Sequence, residues 1–423
     1  MKDDQQIKDI IKKIKGGKNL LLTGPAGTGK STIVKALKDH FKYRLAVTST
    51  TGISALNIGG GTIHSFSGIG IHSEPDAVAT IAAQMNWGKV RKRIQTTDVI
   101  VVDEVSMLSE KQMVLLDLVF KRACMNEMPF GGKTMVFVGD FLQLPPVVKR
   151  GEEHNWIFNS QVWKDAQIEN VHLYKIHRQT DPTFLRHLIA LRFGWCDEET
   201  NDFFQSRTFE ESQIDASTLR FFSTNLEAER FNHNNLNNLP GEVRVHKAYV
   251  DGISEHYIKQ IKQNTLAQEV LELKVGARVM FLSNYKPEGS DDYLWVNGSL
   301  GTIVDYKLRN PVVELDESGQ RVTVEKYTWK LLDWAENELA CFEQIPLKLA
   351  YGVTIHKSQG LTLTKAVIDC RRIFADGQAY VALSRVKTSD GLFLINWNPK
   401  LVRADAEAVK WYLESMEVRD EKD

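Results

Sequence analysis

The chain has 423 residues, more than one hydrophobic core usually supports, so two or more domains are expected. Its 53 Lys and Arg residues and 54 Asp and Glu residues give a formal net charge of −1, which argues against a uniformly basic surface that coats nucleic acid. The four cysteines form no CxxC pair, which argues against a zinc site or a disulfide framework and favours a reducing compartment.

Residues 1–14 mix acidic residues and lysines with single isoleucines and lack the apolar segment of a signal peptide. No later apolar run is long enough to span a bilayer. A soluble, cytoplasmic protein is therefore expected.

A glycine-rich segment follows the first apolar run. Residues 24–31 read Gly-Pro-Ala-Gly-Thr-Gly-Lys-Ser and lie between a predicted strand at 20–23 and a predicted helix at 32–41, the setting of a phosphate-binding loop. The glycines allow backbone N–H groups to surround phosphates, and the helix N-terminus favours negative charge. We expect Lys30 to reach the β- and γ-phosphates and Ser31 to bind magnesium. The other predicted nucleotide contacts are Gly24, Ala26, Gly27, Thr28, Gly29 and Thr32.

A polar segment follows the second predicted strand, at 45–48. Its hydroxyl groups and open amides suit the phosphate oxygens of a single nucleic-acid strand, and the rings of His64 and Phe66 can stack on bases. On composition alone, a polar loop with Phe66 in the core is an equal alternative. The predicted contacts are Thr48, Ser49, Thr51, Asn57, His64, Ser65 and Phe66. Residues 70–93, with a basic cluster at 89–93, are predicted to form a small insertion.

Two further strands deliver polar residues to their ends. The strand at 99–102 leads into Asp103, suited to hold magnesium through a water, and Glu104, suited to orient or deprotonate the attacking water. The strand at 135–138 leads into a loop in which Gln143 is predicted to contact the γ-phosphate. A surface glutamine in a proline-flanked turn is the alternative for Gln143.

The second half of the chain shows two patterns. Strand-like runs at 219–223, 366–369 and 391–395, with a polar helix at 227–238, predict a second α/β lobe. Between them, short β-rich runs separated by Gly, Asn, Pro and Asp predict a small β-barrel inserted in that lobe. These runs are 277–282, 300–306, 312–315 and 321–326.

Several motifs occur in one order along the chain. They are the loop at 24–31, Val-Asp-Glu-Val-Ser-Met at 102–107, Gly-Asp-Phe-Leu-Gln-Leu-Pro-Pro at 139–146, His-Arg-Gln at 177–179, Gly-Val-Thr-Ile-His-Lys-Ser-Gln-Gly at 352–360, and Tyr-Val-Ala-Leu-Ser-Arg at 380–385. From about residue 19 to residue 394, this series resembles the Pif1 helicases of superfamily 1B, the group that includes RecD and Dda.

The resemblance implies an ATP-dependent DNA helicase that moves 5′ to 3′ along one strand in replication, repair or recombination, with ATP and Mg²⁺ as cofactors. It implies an α/β fold of two RecA-like P-loop NTPase lobes with ATP between them. The expected divisions are 1–175 for the first lobe with its insertion at 69–94, 176–275 and 346–423 for the second lobe, and 276–345 for the β-barrel. The expected partners are single-stranded, forked or structured DNA, with RNA–DNA hybrids and G-quadruplexes as options, bound by a monomer or a DNA-induced dimer.

The resemblance also implies further site residues. Arg178 and Arg385 match two arginines that face the γ-phosphate from the second lobe's side, although a surface salt bridge is the commoner explanation for either alone. Gln6, with Gln5 as the other candidate, matches a glutamine that reads adenine, although the family's usual preceding residues are missing here. Gly360 is assigned to the nucleotide site. The implied DNA contacts of the second lobe are Thr224, Asn225, Thr354, His356, Lys357 and Ser358. The short N-terminus points to a bacterial or phage source.

Two other classes of function are considered. An ATP-gated clamp or remodeller would bind nucleic acid and close without unwinding it. A P-loop kinase or GTPase acting on small molecules would leave Arg178, Arg385 and the polar segment unexplained.

Overall fold

The computed structural model describes residues 2–51, 54–55, 58, 60–70, 72–146, 154–215, 218–222, 224–287, 293–332, 337–355, 358 and 361–420. The chain divides into two compact units. The first unit comprises Met1–Thr200, Ala375–Val381 and Pro399–Asp423, and the second comprises Asn201–Phe374 and Ala382–Asn398.

The strands are β1 (Leu20–Thr23), β2 (Leu45–Ser49), β3 (Gly61–Thr62), β4 (Val99–Asp103), β5 (Thr134–Gly139), β6 (Glu169–His172), β7 (Arg220–Phe222), β8 (Arg244–Lys247), β9 (Tyr249–Gly252), β10 (Val270–Leu273), β11 (Arg278–Phe281), β12 (Leu300–Lys307), β13 (Asn310–Leu315), β14 (Arg321–Thr323), β15 (Tyr327–Leu332), β16 (Glu338–Gln344), β17 (Leu347–Leu349), β18 (Gly352–Thr354), β19 (Ala366–Asp369) and β20 (Leu392–Ile395). The α-helices are α1 (Lys2–Lys15), α2 (Lys30–Phe41), α3 (Ile63–Ser67), α4 (Val78–Ala82), α5 (Trp87–Thr96), α6 (Glu110–Cys124), α7 (Gln161–Asp165), α8 (Pro182–Arg192), α9 (Glu198–Gln205), α10 (Asn225–Asn238), α11 (Glu255–Asn264), α12 (Gln378–Leu383) and α13 (Ala406–Asp420).

The first unit is built on a parallel sheet in the order β3-β2-β4-β5-β1-β6. Its four inner strands are the four that the apolar runs predict. The two edge strands, β3 and β6, have no continuous apolar run because an edge strand is covered less completely, and sequence patterning missed them.

Helices on this sheet form where their sequences favour them. Helix α6 begins at a capping box in which Ser109 and Gln112 satisfy each other's backbone N–H groups, and it buries one apolar face in the core. The predicted insertion contains α4 and most of α5, and α5 buries Val90 and Ile94 in the same core.

The last helix, α13, packs in the first unit. The ring of Trp411 stacks on Phe158 at a centroid distance of 4.9 Å and meets Phe141 edge-on at 5.1 Å. Just before the helix, Asp405 accepts a hydrogen bond of 3.1 Å from the indole N–H of Trp156. Residues 399–423 therefore belong to the first unit, whereas the sequence-based boundaries placed them in the second lobe.

The second unit combines a parallel sheet with antiparallel ones. The parallel sheet has the order β18-β7-β19-β20, and the largest antiparallel sheet has the order β14-β13-β12-β11-β17. The four β-rich runs predicted between 277 and 326 form β11 to β14. Smaller antiparallel sheets join β15-β16-β9 and β10-β8, so antiparallel pairing begins at residue 244, before the expected insertion at 276.

A buried glutamine joins segments of these antiparallel sheets. The Nε2 of Gln344 donates hydrogen bonds of 3.0 Å to the backbone oxygens of His246 and Gln268.

The α/β fold with parallel sheets and inserted elements is confirmed. Within the described part of the chain, no helix combines the length and the apolar character needed to cross a membrane.

Candidate active site

The phosphate-binding loop connects β1 to α2, as predicted. Gly27 has a φ of +82°, a conformation that side chains rarely adopt. A Cβ added to Gly27 would lie 2.6 Å from the Cβ of Arg178, and the N–H of His177 donates to the Gly27 carbonyl at 2.8 Å. Glycine is therefore required at this position both by the turn and by the close approach of a second segment.

Lys30 is the first residue of α2 and folds back over the loop. Its Nζ donates hydrogen bonds of 2.7 and 2.9 Å to the backbone oxygens of Gly24 and Pro25. Burial lowers the pKa of Lys30 to about 8, against the opposing charges of Asp140 and Glu104. The hydroxyl of Thr28 donates to the Pro25 carbonyl, and this hydrogen bond within the loop constrains its conformation.

Ser31 and Thr32 lie exposed in the first turn of α2. The hydroxyl of Ser31 is therefore accessible next to the loop. An exposed hydroxyl is a hard oxygen donor of the kind that Mg²⁺ prefers.

Asp103 ends strand β4, and Glu104 follows it. Asp103 is buried, and burial together with the charge of Glu104 raises its pKa to about 7, although the Glu104 N–H donates to its Oδ1 at 2.9 Å and Lys30 lies nearby. Glu104 has left-handed backbone angles, φ 52° and ψ 44°, and its carbonyl accepts a 2.9 Å hydrogen bond from the hydroxyl of Thr50. A non-glycine residue in this conformation costs roughly 1–3 kcal/mol, so the surrounding contacts must hold it there.

Gln143 lies in a buried turn organised by Asp140. The Nε2 of Gln143 donates to Asp140 Oδ2 at 3.1 Å. Arg192, at the end of α8, donates from Nε to Oδ2 at 3.0 Å and from Nη2 to Oδ1 at 2.8 Å. Burial alone would raise the pKa of Asp140, but the Arg192 guanidinium outweighs it and holds that pKa below its usual value.

Sequence reasoning gave Asp140 no role and did not identify Arg192. Asp140 lies in the Gly-Asp-Phe-Leu-Gln-Leu-Pro-Pro motif at 139–146, so its position three residues before Gln143 was an available signal. Arg192 has no motif around it and meets Asp140 across 52 positions of sequence, so only the fold reveals the pair.

The two predicted arginines lie in different units. Arg178 belongs to the first unit, where it is half-buried beside Gly27, not to the second lobe as expected. Burial lowers its pKa, against the opposing influence of Tyr380 and Glu104. Arg385 belongs to the second unit and is 3% exposed, with its N–H donating to the Ala382 carbonyl.

Two other predicted nucleotide contacts stay predictions. Gln6 lies on α1 and is partly exposed, and the neighbouring Gln5 donates a hydrogen bond to Asp9. Gly360 lies outside the described residues.

Three of the DNA contacts predicted in the first unit have structural roles instead. Thr48 and Ser49 are fully buried and donate to the carbonyls of Val101 and Asp103, so their hydroxyls join β2 to β4. Phe66 is fully buried, with its ring 6.1 Å from that of Phe120. A buried ring presents no face to a base, so the expectation for Phe66 is corrected to its core alternative.

The remaining contacts predicted in the first unit are more accessible. Ser65 is exposed and Thr51 half-buried, with the Thr51 Oγ1 accepting from the Ser54 N–H. His64 is partly buried, which lowers its pKa, and its Nε2 lies 3.1 Å from Gln112 Nε2. Asn57 lies outside the described residues.

Contacts predicted in the second unit lie near the ends of its parallel strands. Thr224 caps α10 by accepting from the N–H of Glu227, and Asn225 is exposed next to it. Thr354 is buried at the end of β18. Ser358 is also buried and donates to the Ile355 carbonyl at 2.6 Å, so its hydroxyl serves a local turn. His356 and Lys357 lie outside the described residues.

Comparisons with known proteins agree with this geometry. Residues 1–200 match the family described as PIF1-like helicase, and residues 256–306 match the 2B domain of DNA helicase Pif1. The ATP-dependent DNA helicase Pif1 of Bdellovibrio bacteriovorus is 34% identical over 400 residues, which cover 94% of this chain and 89% of that one.

Two solved structures are similar over nearly the whole chain. Pif1 from Bacteroides sp in complex with ADP-AlF4 has a TM-score of 0.83 at 28% identity, covering 97% of this chain and 96% of that one. Bacteroides Pif1 bound to ssDNA has a TM-score of 0.68 at 28% identity, covering 98% and 97%. With the phosphate-binding loop, the acidic pair after β4 and the Gln143 turn in place, this chain belongs to the Pif1 family of ATP-dependent DNA helicases.

Proposed function

We propose that this chain couples ATP hydrolysis to 5′-to-3′ movement along single-stranded DNA and unwinds duplex or structured DNA in replication, repair or recombination. The observation that carries the proposal is the grouping of Lys30, Asp103 and Glu104 at one edge of the first unit's sheet, where their charges influence one another. The Bacteroides relatives solved with ADP-AlF4 and with ssDNA support a nucleotide and a DNA strand as ligands.

The proposed roles follow from the chemistry of the side chains. Lys30 binds the β- and γ-phosphates, and Glu104 orients or deprotonates the attacking water. Ser31 and Asp103 fit Mg²⁺, which would neutralise phosphate charge when bound. The carboxamide of Gln143 contacts the γ-phosphate.

The two arginines and Gln6 complete the proposed nucleotide contacts. Arg178 and Arg385 stabilise charge that develops during phosphoryl transfer, an effect that can reach roughly 10³ to 10⁵ in rate. Gln6 reads adenine.

Polar residues carry the proposed DNA contacts. In the first unit these are the exposed or half-buried Thr51, His64 and Ser65, together with Asn57. In the second unit they are the exposed Thr224 and Asn225 and the buried Thr354, together with His356 and Lys357. Hydroxyl and amide groups of this kind bind backbone phosphates without reading sequence, which suits a protein that moves along a strand.

The proposal extends to the DNA substrates, the oligomeric state and the cellular location. Forked DNA, RNA–DNA hybrids and G-quadruplexes are candidate substrates, bound by a monomer or a DNA-induced dimer. A cytoplasmic location is supported by the four cysteines, all of which are free in the structure.

Matched duplexes test the proposal. Strand displacement is measured on duplexes with a 5′ tail or a 3′ tail, with and without ATP, alongside hydrolysis with and without single-stranded DNA. We expect DNA-stimulated hydrolysis and unwinding of the 5′-tailed duplex alone. Lys30→Ala should abolish turnover and retain DNA binding, whereas Lys35→Ala, an exposed lysine on the same helix, should behave as wild type.

Other outcomes would point elsewhere. Unwinding of the 3′-tailed duplex alone would overturn the polarity. Stimulated hydrolysis without displacement would favour an ATP-gated clamp, and hydrolysis that ignores DNA would favour an enzyme acting on small molecules.

A further inference from the structure

The ion pair between Arg192 and Asp140 is completely enclosed in the first unit. Their side chains are 1% and 0% exposed, and two nearly parallel hydrogen bonds of 3.0 and 2.8 Å join them. A planar guanidinium that binds a carboxylate through two bonds fixes the orientation of both groups. A buried ion pair is not in general more stabilising than apolar residues of the same size. Stability alone therefore does not explain why this pair is present.

Asp140 also forms hydrogen bonds with the turn that contains Gln143, so its fixed orientation constrains that turn. Its Oδ1 also accepts from the backbone N–H of Leu142 at 3.2 Å, and its Oδ2 accepts from the Gln143 side chain at 3.1 Å. The backbone N–H of Gln143 donates to the Asp140 carbonyl at 3.0 Å. The carboxamide of Gln143 is therefore held by a carboxylate that is itself held by Arg192.

The C-terminal helix α13 covers the guanidinium. The Arg192 Cζ lies 4.3 Å from the ring centroid of Tyr412, which is 3% exposed, and 5.3 Å from that of Phe193. An aromatic face at this distance attracts the cation and leaves no room for water between them. Excluding water strengthens the ion pair and restricts the two side chains to one arrangement.

We propose that Arg192 is a positioning residue for ATP hydrolysis: it acts through Asp140 to hold the Gln143 carboxamide in place, and Tyr412 keeps the pair dry. This inference rests on the proposed function, in which Gln143 contacts the γ-phosphate. Through Tyr412, the C-terminal helix α13 would then contribute indirectly to ATP hydrolysis.

The variant Arg192→Lys tests it because lysine keeps the charge and loses the two-bond geometry. Four quantities are measured at saturating single-stranded DNA: kcat, the KM for ATP, the affinity for ADP, and the affinity for ADP with aluminium fluoride, a γ-phosphate mimic. We expect kcat to fall at least tenfold and the affinity for the mimic to fall by a similar factor. The KM and the ADP affinity should stay within twofold of wild type.

Two further comparisons separate positioning from general stability. Combining Arg192→Lys with Gln143→Ala should lower kcat no further than Gln143→Ala alone, because both act through one carboxamide. As a matched control, Lys121→Met removes the ion-pair partner of Asp117, another buried aspartate of the first unit, and should leave all four quantities within twofold.

The failures are distinguishable. If wild type shows no DNA-stimulated hydrolysis, the proposed function falls. If wild type is active and Arg192→Lys keeps kcat within twofold, or loses ADP affinity as much as affinity for the mimic, the positioning role alone is rejected. If Arg192→Lys does not fold, Tyr412→Leu decides: selective loss of mimic affinity supports the proposal, and an unchanged value rejects it.

Discussion

The hydroxyl of Tyr380 accepts a hydrogen bond of 2.8 Å from the backbone N–H of Ala26, 354 positions earlier in the chain. Both residues belong to the first unit. In the same short segment, Gly377 approaches the Gln143 carbonyl so closely that an added Cβ would lie 2.4 Å from that oxygen. Residues Ala375–Val381 therefore contact both the phosphate-binding loop and the Gln143 turn, and they do so just before the chain reaches Arg385.

The first prediction concerns the Tyr380 hydroxyl. Tyr380→Phe removes the acceptor of a buried N–H group, and a hydrogen bond of this kind contributes about 0.5–1.5 kcal/mol. If the bond holds the loop ready for phosphates, the KM for ATP should rise roughly two- to tenfold. Tyr43→Phe, at a tyrosine that is 89% exposed, serves as the control in the same ATPase assay. An unchanged KM in Tyr380→Phe would contradict a role in nucleotide binding.

The second prediction concerns the pH dependence of stability through Asp103. Its pKa is about 7 in the folded protein against an ordinary value of 3.8, so between these values the folded state binds more protons than the unfolded state. Stability should therefore fall as pH rises from about 4 to 7, and the whole cost should be present above pH 7. Asp103→Asn removes this cost.

Thermal unfolding without nucleotide or metal checks this prediction. At pH 8, Asp103→Asn should be more stable than wild type by about 1–3 kcal/mol, and the difference should shrink toward pH 4. Asp98→Asn, at a half-buried aspartate that pairs with Arg44 just before the same strand, provides the comparison. A variant less stable than wild type at pH 8 would show that Asp103 stabilises the fold.

The third prediction concerns Gly27. An alanine there must adopt a φ of +82° and also place its Cβ 2.6 Å from that of Arg178, so Gly27→Ala should displace either the loop or Arg178. ATPase activity should fall at least tenfold. Gly241 has a similar φ of +89° with nothing near its added Cβ, so Gly241→Ala isolates the backbone cost, about 1 kcal/mol. Equal losses of activity in both variants would mean that the close approach to Arg178 has no functional effect.

The sequence predicted those parts of the site that local chemistry specifies. Lys30 and the pair Asp103 and Glu104 follow apolar strands closely in sequence, so a strand followed by a polar turn was enough to predict where they lie in the fold. The inner strands of both parallel sheets were predicted for the same reason, since burial on two faces demands continuous apolar runs.

Other features depend on contacts that no local pattern encodes. Arg192 and Tyr412 meet only through the packing of α8 and α13, and in the sequence each looks like an ordinary helix residue. Residues 399–423 were assigned to the wrong unit because their aromatic anchors, such as Trp411, specify burial without specifying a partner.

The fourth prediction separates Phe66 from its neighbours on α3. Phe66 is fully buried beside Phe120, whereas His64 is only partly buried. Phe66→Ala should lower the free energy of unfolding by about 3–5 kcal/mol, the usual cost of truncating a core phenylalanine. Phe66→Leu should lower it less and retain single-stranded DNA affinity within twofold.

His64→Ala should show the opposite pattern. If its ring stacks on a base, DNA affinity should fall by about 1–3 kcal/mol with little change in unfolding. Fluorescence anisotropy with labelled oligonucleotide, at a temperature where every variant is folded, measures the affinities. Tenfold weaker binding in folded Phe66→Leu would contradict a purely structural role for this ring, since a buried side chain presents no face to a base.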